Sequence, residues 1–173
     1  MTEELLQKEI NIDEIETLIT ERKFTKLKEL LSETNPADMA AIFEEIDKKY
    51  RLLLFRVLPK ELAAETFAYL ESDMQRALIE AFSDVELREV VDELFLDDTV
   101  DIIEEMPATV VKRILKQSDA DSRKQINELL KYPGDSAGSL MTPEYVSLKK
   151  EMTVAEAFDR IRKTGVDKET IYT

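Results

Sequence analysis

The stretch from Leu87 to Met106, LREVVDELFLDDTVDIIEEM, decides how this chain folds. Read as a helix, Leu87, Val90, Val91 and Leu94 fall at i, i+3, i+4 and i+7 and form an apolar stripe, with Glu86, Glu89 and Glu93 on the adjoining flank. A second short helix follows, with Ile102, Ile103 and Met106 on its apolar side and Asp97 or Asp98 placed to cap it. At about 100° per residue, Asp97, Asp101, Glu104 and Glu105 gather on the opposite side, so the hairpin presents carboxylate oxygens to water.

The same hairpin recurs in both directions. Steps of 24 residues from Leu87 reach Ile15, Met39, Ala63 and Val111, and the positions three and four later are Leu18/Ile19, Ile42/Phe43, Thr66/Phe67 and Ile114/Leu115. Fifteen residues after each start stand Leu30, Leu54, Leu78, Ile102 and Ile126. The periodicity predicts a mainly α fold, a superhelical stack of about five short helical hairpins. Pro36, Pro59 and Pro107 fall at repeat boundaries, where proline ends one helix and fits the first turn of the next. Asp73, Asp97 and Asp121 recur between the two helices of a repeat and read as N-caps. Gly134, Gly138 and Gly165 all lie beyond the repeats, so nothing in the first 130 residues is expected to need left-handed backbone.

Composition narrows the chemistry. The 173 residues hold no cysteine and no histidine, which removes disulfides, structural zinc, thiol nucleophiles and the usual general base. The acid clusters lie on helix faces and no phosphate-cradling glycine loop is present, so an enzyme is not expected. A net charge of −14 repels nucleic acid and anionic membrane surfaces and favours cations or basic proteins as partners. No apolar run approaches the roughly 18 residues of a membrane span, and Met1 to Ile10 is charged, so this segment reads as cytosolic in character and outside the membrane.

Along the chain, residues 1–131 form the repeat domain. Its first repeat carries the basic stretch ERKFTKLK (Glu21 to Lys28) and reads as a polar cap; LLLFRVL (Leu52 to Leu58) reads as a buried helix. Glu65 stands off the apolar stripe of the third repeat, where a solvated surface glutamate is the simplest reading. At Tyr132 the composition changes: a linker, a strand over Tyr145 to Leu148, and a helix from Thr153 or Val154 to Lys163 with Ala155, Ala157, Phe158 and Ile161 inward. Glu169 to Thr173 reads as the start of another extended segment, and residues 132–173 hold too little apolar surface to fold alone, so the domain they begin is expected to be truncated.

The residues Asp135-Ser136-Ala137-Gly138-Ser139-Leu140-Met141-Thr142-Pro143-Glu144-Tyr145-Val146, with Met152-Thr153-Val154-Ala155-Glu156-Ala157 after them, resemble the start of the paired CBS domain of MgtE-family magnesium transporters. Upstream, Asn35-Pro36-Ala37-Asp38 and Leu94-Phe95-Leu96-Asp97-Asp98 resemble that family's acidic helical N domain, so the likeness covers essentially the whole chain. The resemblance implies a cytosolic region at the membrane's inner face, continued by the rest of a CBS pair, a connecting helix and a transmembrane domain, in a homodimeric Mg2+ channel. It also implies that Mg2+ bridges the N domain to the CBS pair and closes the pore. The matching N-domain positions are Glu65, Asp97 and Asp101, all carboxylates here, with Asp98 a weaker candidate. Hard octahedral Mg2+ suits this donor type, held by one or two carboxylates with retained water.

A different class of function uses the same architecture. Stacked helical pairs also serve as protein-interaction scaffolds, and the repeats resemble the middle domain of the flagellar motor switch protein. Fold analogy does not separate the two readings; a response to Mg2+ does.

Overall fold

The computed structural model describes residues 11–165 and Lys168. Among the described residues eleven α-helices follow one another: α1 (Ile12–Thr20), α2 (Phe24–Leu31), α3 (Pro36–Glu45), α4 (Lys48–Val57), α5 (Lys60–Tyr69), α6 (Ser72–Ala81), α7 (Asp84–Glu93), α8 (Leu96–Glu105), α9 (Ala108–Gln117), α10 (Ala120–Leu129) and α11 (Val154–Thr164). The first ten make the five expected pairs, and each begins 12 residues after the one before. The 24-residue repeat is therefore built from two 12-residue steps.

From α3 to α10 every helix has ten residues, about 15 Å of helix, and two residues separate each of these helices from its neighbour in that run. Both connecting residues are extended: Ile46, Leu58, Leu70, Phe82 and Met106 follow their helices with ψ near 146° and are buried. At these five joints an apolar residue leaving the helix and dropping into the core ends the segment without glycine, and after α9 the buried Ser118 takes that place. The residue after it starts the next helix, as Asp47 does through its side chain for α4; Asn35 plays the same part for α3.

This geometry corrects the capping assignment. Asp73, Asp97 and Asp121 are not N-caps; they lie inside the first turns of α6, α8 and α10, two residues after the cap positions Glu71, Phe95 and Asp119. The cap must be an extended residue, and the buried C-cap before it sets that residue two places earlier than the aspartate. The aspartates instead place negative charge against the positive end of each helix.

A second correction concerns the backbone. Arg22 has φ 57°, the left-handed region, although it is not glycine. It follows the end of α1, where the Arg22 amide donates to the Ile19 carbonyl at 3.0 Å and the Lys23 amide to that of Leu18 at 2.9 Å. This paired return satisfies two terminal carbonyls and holds Arg22 in place.

The chain divides between Val90 and Val91 into two compact bodies, the division falling within α7. In the first, α1 packs on α2, both pack on α4, and α3 packs on α5. Phe55 centres this body, its ring 6.2 Å from Phe43, 6.0 Å from Phe67 and 5.0 Å from Phe82. The expectation for Leu52 to Leu58 holds, since it falls in α4 and its C-cap with Leu54, Phe55 and Leu58 buried. In the second body α8 packs on α9 and α10, burying Ile102, Ile103, Ile114 and Ile126.

Past α10 the chain differs from expectation in two ways. Tyr145 to Leu148 is not a strand: Tyr145 makes an isolated β-bridge and no strand occurs among the described residues, although Val146 is buried. The helix α11 forms as read and has a full capping box between Thr153 and Glu156, yet none of its residues is buried. Ala155 is exposed and Phe158 is 54% exposed, so the positions read as inward face solvent or are only half covered. An amphipathic pattern reports an apolar face and not what lies against it. The extended segment expected at Glu169 to Thr173 lies outside the described residues.

Candidate functional site

The carboxylates singled out above sit on two helices in two bodies. Glu65 is on α5 in the first body and is exposed, flanked by the buried Ala64 and Thr66. Asp97, Asp98 and Asp101 are on α8 in the second. Thr99, Val100, Ile102 and Ile103 of that helix are buried, which fixes its rotation and leaves Asp101 exposed and Asp97 and Asp98 half-buried. Four residues apart, Asp97 and Asp101 stand one turn above the other on a common flank. The Oδ1 atom of Asp97 is closed off from solvent, so the two carboxylates of the pair are differently exposed.

Among the described residues no three acidic groups converge as a metal cage. The α8 pair is a two-carboxylate donor set within one helical turn. This fits a cation that keeps much of its water and takes one or two carboxylates from each surface it touches, as Mg2+ does. It does not fit an ion needing six to eight protein oxygens.

The start of α8 has an unusual cap. Phe95 occupies the N-cap position and offers no side-chain acceptor. The acceptor comes from 48 residues downstream: the Leu96 amide donates to Glu144 Oε2 at 2.7 Å. The Thr142 hydroxyl accepts from the Glu144 amide at 3.1 Å, and Pro143 between them has a restricted φ, so the loop that delivers Glu144 is itself constrained. A polar cavity of about 380 Å3 lies alongside, lined in part by Leu96, Thr99, Ser118, Ser122, Pro143 and Glu144. In the sequence Glu144 is one letter of a motif and carries no signal of this role. Its partner is a backbone amide in another helix, and no spacing rule reaches across that gap.

Elsewhere on the acidic surface charge is used structurally. Glu86 accepts from the Ser83 amide and hydroxyl, each at 2.8 Å, and from Arg56 Nε at 2.6 Å. The Arg56 guanidinium, followed by the Ser83 donors, holds the Glu86 carboxyl at about 2. Lys60 Nζ meets Glu89 at 2.9 Å, one turn further along α7. Among the described residues no such cation meets Glu65 or Asp101. The acids along α7 and α8 therefore read alike in sequence but differ in the fold: Glu86 and Glu89 brace α7 onto α4 and α5, whereas Asp101 is exposed.

Comparison with known proteins identifies the family of the helical repeat. Residues 34–135 match the family described as the MgtE intracellular N domain. The magnesium transporter MgtE of Thermus thermophilus is 34% identical over 150 residues, 84% of this chain and 33% of that protein. The magnesium transporter MgtE of Bacillus subtilis is 26% identical over 154 residues, 89% of this chain and 34% of that protein. The chain thus spans about a third of the length of these relatives. The crystal structure of the cytosolic domain of the Mg2+ channel MgtE in complex with ATP superposes with a TM-score of 0.84 at 32% identity, covering 94% of this chain and 66% of that one. The soluble part of a magnesium transporter shares the fold, with a TM-score of 0.81 at 21% identity over 93% of this chain and 64% of that one. Five helical pairs with an acidic α8, and a family match over 102 of 173 residues (34 to 135 inclusive), lead to one assignment: the chain belongs to the MgtE intracellular N domain family.

Proposed function

We propose that this chain is the Mg2+-sensing regulatory region of a magnesium transporter, lying at the cytoplasmic face of the cell membrane. Residues 1–131 act as the N-type helical domain and residues 132–173 begin a CBS domain. Mg2+ bridges Glu65, Asp97 and Asp101, with Asp98 nearby, to the CBS side and favours closure of the pore. The observation that carries this reading is the Asp97 and Asp101 pair, one turn apart on α8, in a chain of this family.

The physical logic is a balance of like charges. Two carboxylates at i and i+4 repel by a few tenths of a kcal/mol on a helix surface, and a second acidic surface brought against them adds to the cost. A hard divalent cation reverses the sign of that contact. The docked state is thus occupied only with the ion, and ligand-biased exchange between two states is what a sensor requires. The exposed apolar residues Val154 and Phe158 of α11 support the domain reading, as a surface that the remainder of a CBS pair would cover. The partners are then the rest of the same polypeptide, a connecting helix and a transmembrane domain, and a second copy in a homodimer.

The test is transport by the full-length protein as internal Mg2+ rises. Wild type should close, and Asp97→Ala with Asp101→Ala should remain open at Mg2+ levels that close wild type. Normal closure in the double variant overturns the assignment of these residues.

A further inference from the structure

Where Glu144 sits has a consequence for the sensing helix. Most helices of the repeat start with an acceptor of their own or with proline: Asn35, Asp47 and Asp119 accept through their side chains, and Pro59 and Pro107 stand at the starts of α5 and α9. The helix carrying Asp97 and Asp101 starts instead on Phe95, and a carboxylate from beyond the repeats takes the first free amide. We propose that Glu144 is a positioning residue: by capping α8 from the segment that follows α10, it ties that segment to the first turn of the helix that presents Asp97 and Asp101.

Three observations favour this over an incidental contact. The bond is short, 2.7 Å, and partly buried. The Glu144 amide is held by Thr142, so the carboxylate is delivered from a turn with its own hydrogen bond. And Asp97 follows the bonded Leu96 directly in the first turn, with one oxygen closed off from solvent, so its side chain has little room to adjust if that turn frays. A carboxylate bonded to a helix-terminal amide is a charge-assisted hydrogen bond aligned with the helix dipole. Movement of the 142–144 turn would then be felt at Asp97 before it is felt elsewhere in the repeat, and the reverse holds by linkage.

The role of Asp97 and Asp101 rests on the function proposed above, whereas the cap itself does not. The test is therefore read at two places in Glu144→Ala and Glu144→Gln, the second of which keeps a carbonyl acceptor but loses the charge. Amide hydrogen exchange at Leu96 should accelerate at least about tenfold in the Ala variant while amides of α3 and α5 stay as in wild type. The Mg2+ concentration that half-shifts the Asp97 and Asp101 side-chain NMR signals should rise about fivefold or more in the same variant. Glu144→Gln should restore most of both effects. Unchanged Leu96 exchange in Glu144→Ala overturns the proposal, and so does an acceleration that spreads equally to α3 and α5, since that would be general destabilisation and not the loss of a cap on α8. Wild-type signals that ignore Mg2+ overturn the sensing role of Asp97 and Asp101 instead, and Leu96 exchange still decides whether Glu144 holds α8.

Discussion

Arg56 of α4 and Glu86 of α7 meet at 2.6 Å, Nε donating to Oε1, while the same glutamate closes a reciprocal cap with Ser83 at the start of α7. One carboxylate thus starts a helix and braces it against a helix of an earlier repeat. Its folded value near 2 lies below the ordinary 4.5, so the stability it contributes is fully present above pH 4.5 and is lost as pH falls from there towards 2. Arg56 is about half exposed, and solvent screening keeps the contribution to about 1 kcal/mol. Urea unfolding of Arg56→Met against wild type should show that difference at pH 7 and a shrinking one by pH 3. A pH-independent difference would mean that the ion pair carries none of it.

Arg22 holds a backbone conformation that costs a residue with a side chain about 1 kcal/mol relative to glycine. Glycine costs more entropy in the unfolded chain, which offsets part of this. Arg22→Gly should still raise stability by about 0.5 kcal/mol, and Arg22→Val, branched at Cβ, should lower it by about 1 kcal/mol or more. Midpoints of thermal unfolding rank the three proteins.

Thr66 is fully buried on α5 and its hydroxyl has no hydrogen-bond partner. Removing that oxygen with little change of shape should remove a desolvation cost, so Thr66→Val is expected to stabilise by about 1 kcal/mol. A loss of stability in Thr66→Val on urea unfolding would show that the hydroxyl is satisfied in solution.

Phe55 touches Phe43, Phe67 and Phe82 at once. Phe55→Ala should cost about 3 to 5 kcal/mol through lost burial and the cavity left behind, whereas Phe55→Leu should cost much less because it keeps most of the volume. The ratio of the two, from urea unfolding, separates packing from aromatic chemistry.

The hairpin repeat was legible because burial imposes it: Ile15, Met39, Ala63 and Leu87 are all buried at one register of the first four pairs, and Val111 of the fifth is half-buried. The finer 12-residue step was also written in the chain, as Ile46, Leu58, Leu70, Phe82, Leu94 and Met106, but these are the residues that leave helices, and a helical template does not look for them. The same blind spot moved the caps by two places, since an aspartate in the first turn and an aspartate at the cap are alike in sequence and differ in backbone. Arg22 gave no sign of its conformation, because a terminal pair of hydrogen bonds outweighed side-chain preference. For the candidate site, residue types were readable and their setting was not. Glu86 and Asp101 are both acids on repeat helices, yet one is braced by Arg56 and the other is exposed, and only the fold distinguishes them. Glu144 lay furthest out of reach, a contact made across 48 residues to a backbone amide.

The central claim is that Mg2+ lets the acidic α8 surface dock against the domain that follows. Small-angle scattering of the complete cytosolic region, with and without millimolar Mg2+, measures this most directly. The radius of gyration should fall on adding Mg2+, and this contraction should be absent in Asp97→Ala with Asp101→Ala. Equal radii for wild type in both conditions, or full contraction in the double variant, would contradict the account.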